Sequence, residues 1–295
     1  MTVPVIIENE AWRLEVWPQF GGKVSSMIDK ADGHELLFSF PLELPTRCQY
    51  GTKYANGWFA GWDECFPAVD AGPYPQHPYE GIQVPDHGEL WALPTTAVPT
   101  RGGITTVWHG LRFGYRLTRK LYLDGNSVVA EYTLINLAPL EFRFVWAMHA
   151  LLSLASPVTV DLGDMVHLRD EAKTHETLWP ALDVATNFTR SDELPAGQAW
   201  KRFGGDPIAA AAKIGYPLRG RGLEIAYSAD SSDVAAYWGV WVNSGGWEGH
   251  KHLALEPTTG RSDALAPSIA DGSAGRVGPG GRAEWAVRLT TAASE

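Results

Sequence analysis

Three stretches of the chain carry side chains whose types and spacing suit proton transfer. The stretch PDHGELW (85–91) holds His87 between an aspartate and a glycine. The stretch FRFVWAMHA (142–150) places His149 next to its end, and KHLALEPTTG (251–260) contains Glu256. Imidazole and carboxylate groups both exchange protons near neutral pH when burial tunes their pKa values. The three residues are therefore candidate acid–base groups, while each of them alone also fits a structural histidine or a solvated carboxylate.

Other kinds of site chemistry lack their usual motifs in this sequence. The HGE at 87–89 is similar to the H-x-E of zinc deaminases, but the P-C-x-x-C partner of that motif is absent. The only closely spaced histidine pair is HKH at 250–252, so we expect no metal site. There is no G-x-S-x-G, and the glycine clusters are not followed by helical patterns that would cradle a phosphate. The sequence favours proton transfer that needs no metal and no cofactor.

Composition and charge limit the class of protein. The 295 residues carry a net charge of −10, and the 24 lysines and arginines are scattered, which argues against a nucleic-acid partner because phosphate binding needs grouped cations. No apolar run approaches the roughly 20 residues that cross a bilayer, and the first residues lack a secretory signal pattern. We therefore expect a cytoplasmic protein with a small substrate and no membrane partner, whose Cys48 and Cys65 stay thiols.

The segments that must position these groups are predicted to be mainly β-strands, because their apolar residues recur with a period of two. In FRFVWAMHA the alternation predicts one strand with Phe142, Phe144, Trp146 and Met148 on one face and His149 on the other. The run RLTRKLYLDGNSVVAEYTLIN predicts two strands around a turn at 124–126. The segments LEIAYSA, AAYWGVWVN and RAEWAVRL are further strand candidates.

The third candidate acid–base group also lies on a predicted strand. In KHLALEPTTG the alternation places Glu256 on the face opposite Leu253 and Leu255, at a strand end fixed by Pro257. Helical periodicity is nearly absent, and the best short helix is predicted over 206–216, in DPIAAAAKIGY. The chain is therefore expected to be all-β, with few short helices.

Strand patterns run from the first residues to the last without a linker-like change in composition. The sequence therefore predicts a single domain over 1–295, built as a large antiparallel β-sandwich. Segment 41–100 is the exception, because it is rich in Pro, Gly, Trp and His and shows little alternation. A long segment of this kind in a compact domain is usually functional or disordered, and its aromatic content argues against disorder. We interpret it as the binding side of the sandwich.

Five motifs in a fixed order give the chain a family resemblance. They are PQFGGKVSSMIDKADGHELL, GWDECFPAV, PDHGELW, WAMHALLSL and LALEPTTG. In this order they resemble the galactose mutarotase-like (aldose 1-epimerase) superfamily, from about residue 12 to the C-terminus. The resemblance implies the β-supersandwich fold of that superfamily and an isomerase that interconverts the α and β anomers of a sugar.

The resemblance also assigns roles to the three candidate acid–base groups. Glu256 would be the base that removes the proton of the anomeric hydroxyl, and His149 the acid that protonates the ring oxygen. His87 would hydrogen-bond in the region of the same oxygen. The opened aldehyde would rotate about its C1–C2 bond and close again on either face.

Further residues are candidates for contacts with the sugar: Arg47, Lys53, Trp62, Asp63 and Trp241. Arg47 and Lys53 would contact a hydroxyl or an anionic group, or be surface cations, and Trp62 equally suits the core. The chain departs from the best-known mutarotases at Ala150, where those enzymes have proline. Their hydroxyl-binding aspartate and their arginine have no clear counterpart in this sequence.

Two other functions fit the same residues. One is an isomerase or lyase that acts on a modified sugar with the same acid–base pair, which the departures from the family pattern favour. The other is a non-catalytic carbohydrate-binding protein that stacks sugars on the tryptophans of YWGVWVNSGGW, Trp238, Trp241 and Trp247. In each case the expected partner is a small sugar, bound by a monomer or a homodimer.

Overall fold

The computed structural model describes residues 3–40, 43–163, 166–170, 176–179, 190–191 and 194–293. In these ranges the chain forms strands joined by short connections and one short α-helix. The elements are β1 (Val5–Glu8), β2 (Trp12–Trp17), β3 (Lys23–Asp29), β4 (His34–Glu35), β5 (Trp62–Cys65), β6 (Gly72–Pro73), β7 (Gln83–Val84), β8 (Thr96–Thr100), β9 (Gly103–His109), β10 (Tyr115–Asp124), β11 (Ser127–Asn136), β12 (Phe142–Phe144), β13 (Ala147–Ala150), β14 (Leu152–Ser153), β15 (Thr159–Asp161), β16 (Val166–Arg169), β17 (Glu176–Trp179), β18 (Ala199–Gly204), β19 (Ala212–Tyr216), β20 (Arg221–Ala229), β21 (Tyr237–Ser244), β22 (Lys251–Thr258), α1 (Leu265–Ala270), β23 (Gly275–Val277) and β24 (Arg282–Ala293).

Two large antiparallel sheets form the sandwich. The first has 12 strands in the order β1-β2-β3-β5-β13-β22-β21-β18-β16-β17, with β4 paired to β3 and β14 paired to β22. The second has eight strands in the order β15-β19-β20-β24-β11-β10-β9-β8. The all-β antiparallel sandwich that the sequence predicts is confirmed.

Apolar side chains at alternate positions of the strands fill the core between the two sheets. Strand β24, for example, buries Ala283, Trp285, Val287 and Leu289 while the residues between them stay partly exposed or exposed. The predicted hairpin is strands β10 and β11 with a turn at Gly125, whose φ of 58° suits glycine. The strands predicted in LEIAYSA, AAYWGVWVN, RAEWAVRL and KHLALEPTTG are confirmed as β20, β21, β24 and β22.

The helix predicted over 206–216 is wrong. Residues 206–211 have no regular structure, and Ala212–Tyr216 form strand β19. Ala212, Ile214 and Tyr216 are buried while the two residues between them are not. This alternation has a period of two, and the alanine run before it hides it. The only α-helix of the described residues is α1, at Leu265–Ala270.

The single strand predicted over 142–150 is also wrong, because the run divides into β12 and β13. Strand β12 pairs with β23, whereas β13 pairs with β5 and β22 in the large sheet. Between them, the backbone N–H of Val145 donates to the carbonyl of Pro67, and that of Trp146 donates to the hydroxyl of Thr259. Loop and side-chain acceptors therefore take the place of a strand neighbour at this point.

Segment 41–100 holds short elements among irregular backbone. Its described part contains β5 to β8 and two short 3-10 turns, at Tyr54–Asn56 and Leu90–Ala92. Among the described residues, none of the helices has the length and apolar content that crossing a membrane requires.

A buried ion pair joins the two sheets inside the core. Glu64 on β5 and Arg119 on β10 are both fully buried, and the guanidinium donates to Oε1 of Glu64 at 2.9 Å. The same carboxylate accepts hydrogen bonds from Trp62, Tyr132 and Trp146. Since a buried charge is costly without partners, this set of bonds fixes the position of β5 against the second sheet.

Substitution of Glu64 by glutamine should destabilise the fold strongly. The change leaves the Arg119 charge buried without its counter-ion, and breaking such a pair costs about 3 to 5 kcal/mol. Urea unfolding would show a lower midpoint with an unchanged slope. Glu224→Gln, at an exposed position of β20, is the matched control, with a change within about 0.5 kcal/mol. Equal midpoints for the two variants would contradict the assigned role of the pair.

Candidate active site

A row of polar side chains crosses one face of the 12-stranded sheet. The register sets His149 on β13 opposite Asp63 on β5, and Gly239 on β21 opposite Glu256 on β22. Because side chains alternate along a strand, Trp62 and Glu64 point into the sandwich core while Asp63 points to the other face. His149 and Glu256 share that outer face, which we call the pocket face.

Glu256 is fully buried and is held by one of its two oxygens. Its Oε2 accepts from Nζ of Lys201 at 2.8 Å, and the same ammonium donates to Asp263 at 2.7 Å. Oε1 has no hydrogen-bond partner among the described residues and lies 3.8 Å from Nε2 of His149. Gly239 lies opposite Glu256 in the register, and a Cβ added there would lie 3.4 Å from the Cβ of Glu256. The free oxygen and the imidazole therefore face each other.

Burial sets the protonation of this pair. It raises the pKa of Glu256 to about 7, against the lowering effect of the Lys201 ammonium. Burial also lowers the pKa of His149 well below 6.5, helped by the charges of His87 and Lys201. Burial would lower the pKa of Lys201, but Asp263 and Glu256 raise it, so this side chain is a cation. Near neutral pH, His149 is neutral and Glu256 is close to its titration midpoint.

A second ion pair lies behind His149. Lys23 on β3 and Asp63 are both buried and in contact, and the hydroxyl of Tyr54 lies 2.9 Å from Oδ2 of the same carboxylate. The Tyr54 hydroxyl is also 3.2 Å from Nδ1 of His149. Burial, followed by the charge of Asp63, raises the pKa of Tyr54 well above 10. The tyrosine therefore stays neutral and links the ion pair to the imidazole.

The turn at 85–89 holds His87 in an uncommon backbone conformation. Its φ is 58°, which costs a side-chain-bearing residue roughly 1 kcal/mol. Gly88 packs against the backbone of Phe66, where a Cβ would lie 2.1 Å from the carbonyl oxygen. Nδ1 of His87 is 2.8 Å from Asp86, and the ring stacks on Tyr54 at 3.7 Å. The turn thus directs the ring toward the pocket.

The aspartate beside His87 also ties the turn to Tyr54. Oδ2 of Asp86 accepts from the backbone N–H of Tyr54 at 2.8 Å. Burial would raise the pKa of Asp86, but the bonds from His87 and Tyr54 hold it below its ordinary value. Because the carboxylate of Asp86 can only accept, Nδ1 of His87 donates its hydrogen bond to it, and Nε2 is left for a ligand.

These groups open into a cavity of about 370 Å³, a volume typical of small-molecule sites. Its lining residues are Tyr54, Ala55, Val69, Asp70, Asp86, His87, His149, Leu151, Lys201, Trp241, Trp247, His252 and Asp263. Trp241 and Trp247 form one wall with an edge-to-face contact of their rings at 6.2 Å. The cavity therefore combines an aromatic wall with carboxylates and imidazoles, and no cluster able to hold a metal ion occurs within the described ranges.

The structure brings some of the sequence candidates together and leaves others apart. His87, His149 and Trp241 line the cavity, with Glu256 beside His149. Asp63 lies behind the cavity, in contact with Tyr54.

Three of the proposed sugar contacts are not on the cavity wall. Trp62 is fully buried in the core, with its Nε1 bonded to Glu64, because β5 turns it away from Asp63. Arg47 and Lys53 are exposed, and neither is among the lining residues.

Sequence reasoning missed several residues of the site: Tyr54, Lys201, His252 and Asp263. Lys201 lies 55 residues from Glu256 in the chain, on a strand with no feature of its own in the sequence. His252 could have been found, because it shares the alternating face of β22 with Glu256. Trp247 stood among the tryptophans expected to stack on sugars.

Comparison with known proteins gives matches of fold. No protein-family model and no curated protein matches the chain. A solved structure from Synechocystis sp. PCC 6803 superposes with a TM-score of 0.75 at 17% identity, covering 100% of this chain and 97% of that one. A galactose mutarotase related enzyme from Lactobacillus acidophilus gives 0.70 at 13% identity, covering 99% of both chains. A galactose mutarotase-like protein from Lactobacillus casei ATCC 334 gives 0.70 at 16% identity, covering 98% of this chain and 100% of that one.

The fold of the chain is therefore that of the galactose mutarotase-like proteins, as its ordered motifs predicted.

The third histidine of the cavity should make the protein sensitive to acid. Burial, then the charge of His250, lowers the pKa of His252 to about 3 from 6.5. A depressed folded pKa means that stability is lost as the pH falls below 6.5. Between that pH and about 4.5 the loss from this residue should be about 2 kcal/mol. Urea midpoints at the two pH values should thus differ less in His252→Gln than in the wild type.

The control for this comparison is His109→Gln, at an exposed position of β9. It should keep the acid sensitivity of the wild type. If His252→Gln lost as much stability on acidification as the wild type, the neutral state assigned to His252 would be wrong.

Proposed function

We propose that this protein is a sugar mutarotase, which interconverts α and β anomers by acid–base opening and closing of the ring. The observation that carries the proposal is the pair formed by Glu256 and His149. The free Oε1 of a buried carboxylate lies 3.8 Å from an imidazole nitrogen beside a cavity of about 370 Å³. The fold shared with galactose mutarotase-like proteins supports the same conclusion by analogy.

The spacing of Glu256 and His149 suits the binding of a substrate hydroxyl group between them. At 3.8 Å apart, both atoms can lie about 2.8 Å from one hydroxyl oxygen, which is hydrogen-bond reach. Mutarotation needs one group to take the proton of the anomeric hydroxyl and another to give a proton to the ring oxygen. The resemblance assigns the first task to Glu256 and the second to His149. Ring closure reverses both transfers, so the same pair serves both directions.

The other groups of the cavity suit the rest of a sugar. The rings of Trp241 and Trp247 offer faces for the C–H side of a pyranose, and aromatic side chains commonly pack in this way at binding sites. Nε2 of His87, whose Nδ1 is engaged by Asp86, is available to a sugar oxygen. We assign His87 to binding near the ring oxygen, and Asp63 to support of His149 through Tyr54.

The substitution Glu256→Gln should abolish anomer exchange. The amide keeps the shape of the side chain but can neither take up nor release the proton, so the rate should fall by at least about 100-fold. Saturation-transfer NMR on a panel of aldoses at neutral pH measures the exchange, and thermal unfolding checks that the variant is folded. Glu224→Gln, exposed on β20, is the matched control and should keep the wild-type rate.

Full activity in folded Glu256→Gln would refute the assignment of the pair. If the wild type gave new products from sugar acids or keto-sugars instead of anomers, it would be an isomerase or lyase with the same pair. Sugar binding without any acceleration, unchanged in Glu256→Gln, would identify a carbohydrate-binding protein.

Lys201 should set the alkaline limit of the activity. The pair works while it holds one proton, and it loses that proton as the pH rises through the pKa of Glu256, about 7. Since the ammonium lowers this pKa and Asp263 raises it, Lys201→Met should move the alkaline limb of the pH–rate profile to higher pH. Lys201→Arg keeps the charge and should leave the limb close to that of the wild type. An unmoved limb in Lys201→Met would show that another group controls it.

A further inference from the structure

The imidazole of His252 lies between two hydrogen-bond donors. Its Nδ1 is 3.1 Å from the indole Nε1 of Trp241, and its Nε2 is 3.2 Å from Nδ2 of Asn243. The ring is neutral near pH 7, because burial and the charge of His250 lower its pKa to about 3. A neutral imidazole has one N–H and one lone pair, and an indole nitrogen can only donate. Only one of the two contacts can therefore be a hydrogen bond.

Backbone partners fix which atom Asn243 presents to His252. Its Oδ1 accepts from the backbone N–H groups of Gly245 and Trp247, at 3.1 and 3.0 Å. Its Nδ2 donates to the carbonyl of Trp247 at 2.8 Å. An amide turned the other way would break all three bonds. The group that faces Nε2 of His252 is therefore an N–H.

The burial of the two donors decides where the proton of His252 lies. Asn243 is fully buried, and an N–H that meets no acceptor there is costly. Trp241 is half-buried and lines the cavity, where an oxygen from outside can reach its N–H. Nε2 of His252 therefore accepts from Asn243, and Nδ1 carries the proton beside the indole.

The N–H groups of Trp241 and His252 thus converge at the cavity wall. Their nitrogens are 3.1 Å apart, so an oxygen about 2.9 Å from each can accept from both. A hydroxyl oxygen has the two lone pairs that this requires. Trp247 stands nearly perpendicular to Trp241, with 84° between the ring planes. A pyranose on the face of Trp247 can therefore meet the N–H edge of Trp241.

The strands set how far these two donors lie from the acid–base pair. Trp241 is two residues along β21 from Gly239, the residue opposite Glu256. His252 is four residues along β22 from Glu256. At the rise of a strand, these offsets amount to about 7 to 13 Å. In a pyranose bound with C1 at Glu256 and His149, the ring hydroxyl farthest from C1 is the one on C4.

We propose that the N–H groups of Trp241 and His252 form a subsite that binds the C4 hydroxyl of the sugar. This subsite deepens the proposed function and rests on it for the identity of the ligand, whereas the proton on Nδ1 of His252 is a property of the protein without sugar. A sugar that lacks the hydroxyl leaves both N–H groups without their acceptor. The substrates are therefore aldopyranoses with a free C4 hydroxyl.

The first test removes this hydroxyl from the sugar. Glucose and galactose differ only at C4 and share one 4-deoxy analogue. Titration calorimetry at neutral pH gives the Kd of all three, and we expect the 4-deoxy sugar to bind about 10-fold more weakly than the better of the two hexoses. A 4-deoxy sugar that bound as tightly as that hexose would overturn the proposal.

The second test repeats the titrations with Trp241→Phe, which keeps an aromatic ring and removes the N–H. The difference in Kd between the hexose and its 4-deoxy analogue should shrink to about twofold or less. Trp247→Phe is the matched control on the same wall, because it should weaken both sugars alike and keep the difference of about 10-fold. A difference that stays at its wild-type size in folded Trp241→Phe would contradict the subsite.

The third test concerns the protein without sugar. A long-range 1H–15N NMR spectrum of protein labelled at its nine histidines, recorded at neutral pH, shows which nitrogen of each ring carries a proton. The signals of His252 are assigned by their loss in His252→Gln. We expect the proton on Nδ1. A proton on Nε2 would make Trp241 a donor to His252, and the proposal would be wrong.

The failures of the two proposals are distinguishable. If the 4-deoxy penalty depends on Trp241 but no sugar exchanges its anomers, the subsite stands and the mutarotase function fails. If anomers exchange and the penalty is the same in Trp241→Phe, the function stands and the subsite is wrong. If neither hexose binds, the subsite is wrong, and the exchange measurement on the other aldoses still decides the function.

Discussion

The site depends on one constraint, which is that the charges on the pocket face of the large sheet are buried and must be neutralised there. The sheet meets it with two ion pairs, Lys23 with Asp63 on adjacent strands and Lys201 with Glu256 on strands separated by β21. His149 lies between the pairs, and burial and the surrounding cations keep it neutral. His149 and Glu256, the two groups that would exchange protons, therefore lie in the middle of a row of polar side chains. A lysine lies at each end of the row and neutralises the carboxylate next to it.

Strand β5 contributes one carboxylate to the pocket face and another to the core. Asp63 and Glu64 are adjacent in sequence but point to opposite faces of β5, where each meets a buried cation, Lys23 on one face and Arg119 on the other. A shift of the strand by one residue would exchange the two faces and break both of these ion pairs. The ion pair in the core thus fixes the register that places Asp63 behind Tyr54 and His149.

The site also contains a buried carboxylate oxygen, Oε1 of Glu256, that has no hydrogen-bond partner among the described residues. A network with only a structural role would be expected to supply such a partner. In the core, Oε1 and Oε2 of Glu64 both accept hydrogen bonds. In the pocket, Oε1 of Glu256 has no partner within the described residues, and an unmade bond of this kind costs about 1 to 3 kcal/mol. The raised pKa of Glu256 follows from that burial, and it brings the carboxyl group into the range where it can both give and take a proton. Under the proposed function, the reactivity of Glu256 comes at the expense of stability.

The sequence by itself determined the strands, because a period of two in the apolar residues survives in any all-β packing, and the ordered motifs predicted the fold. It also singled out His87, His149 and Glu256 as candidates, since imidazole and carboxylate stand out by type, and the structure brings the three together at one cavity. It misread 206–216, where alanines hid an alternating pattern, and placed Trp62 beside Asp63 in the pocket. Only the tertiary structure decided the partners: Tyr54 comes from 95 residues before His149 and Lys201 from 55 residues before Glu256. Contacts between strands that are distant in the chain follow from sheet order and register, and neither is written in the local pattern of residues.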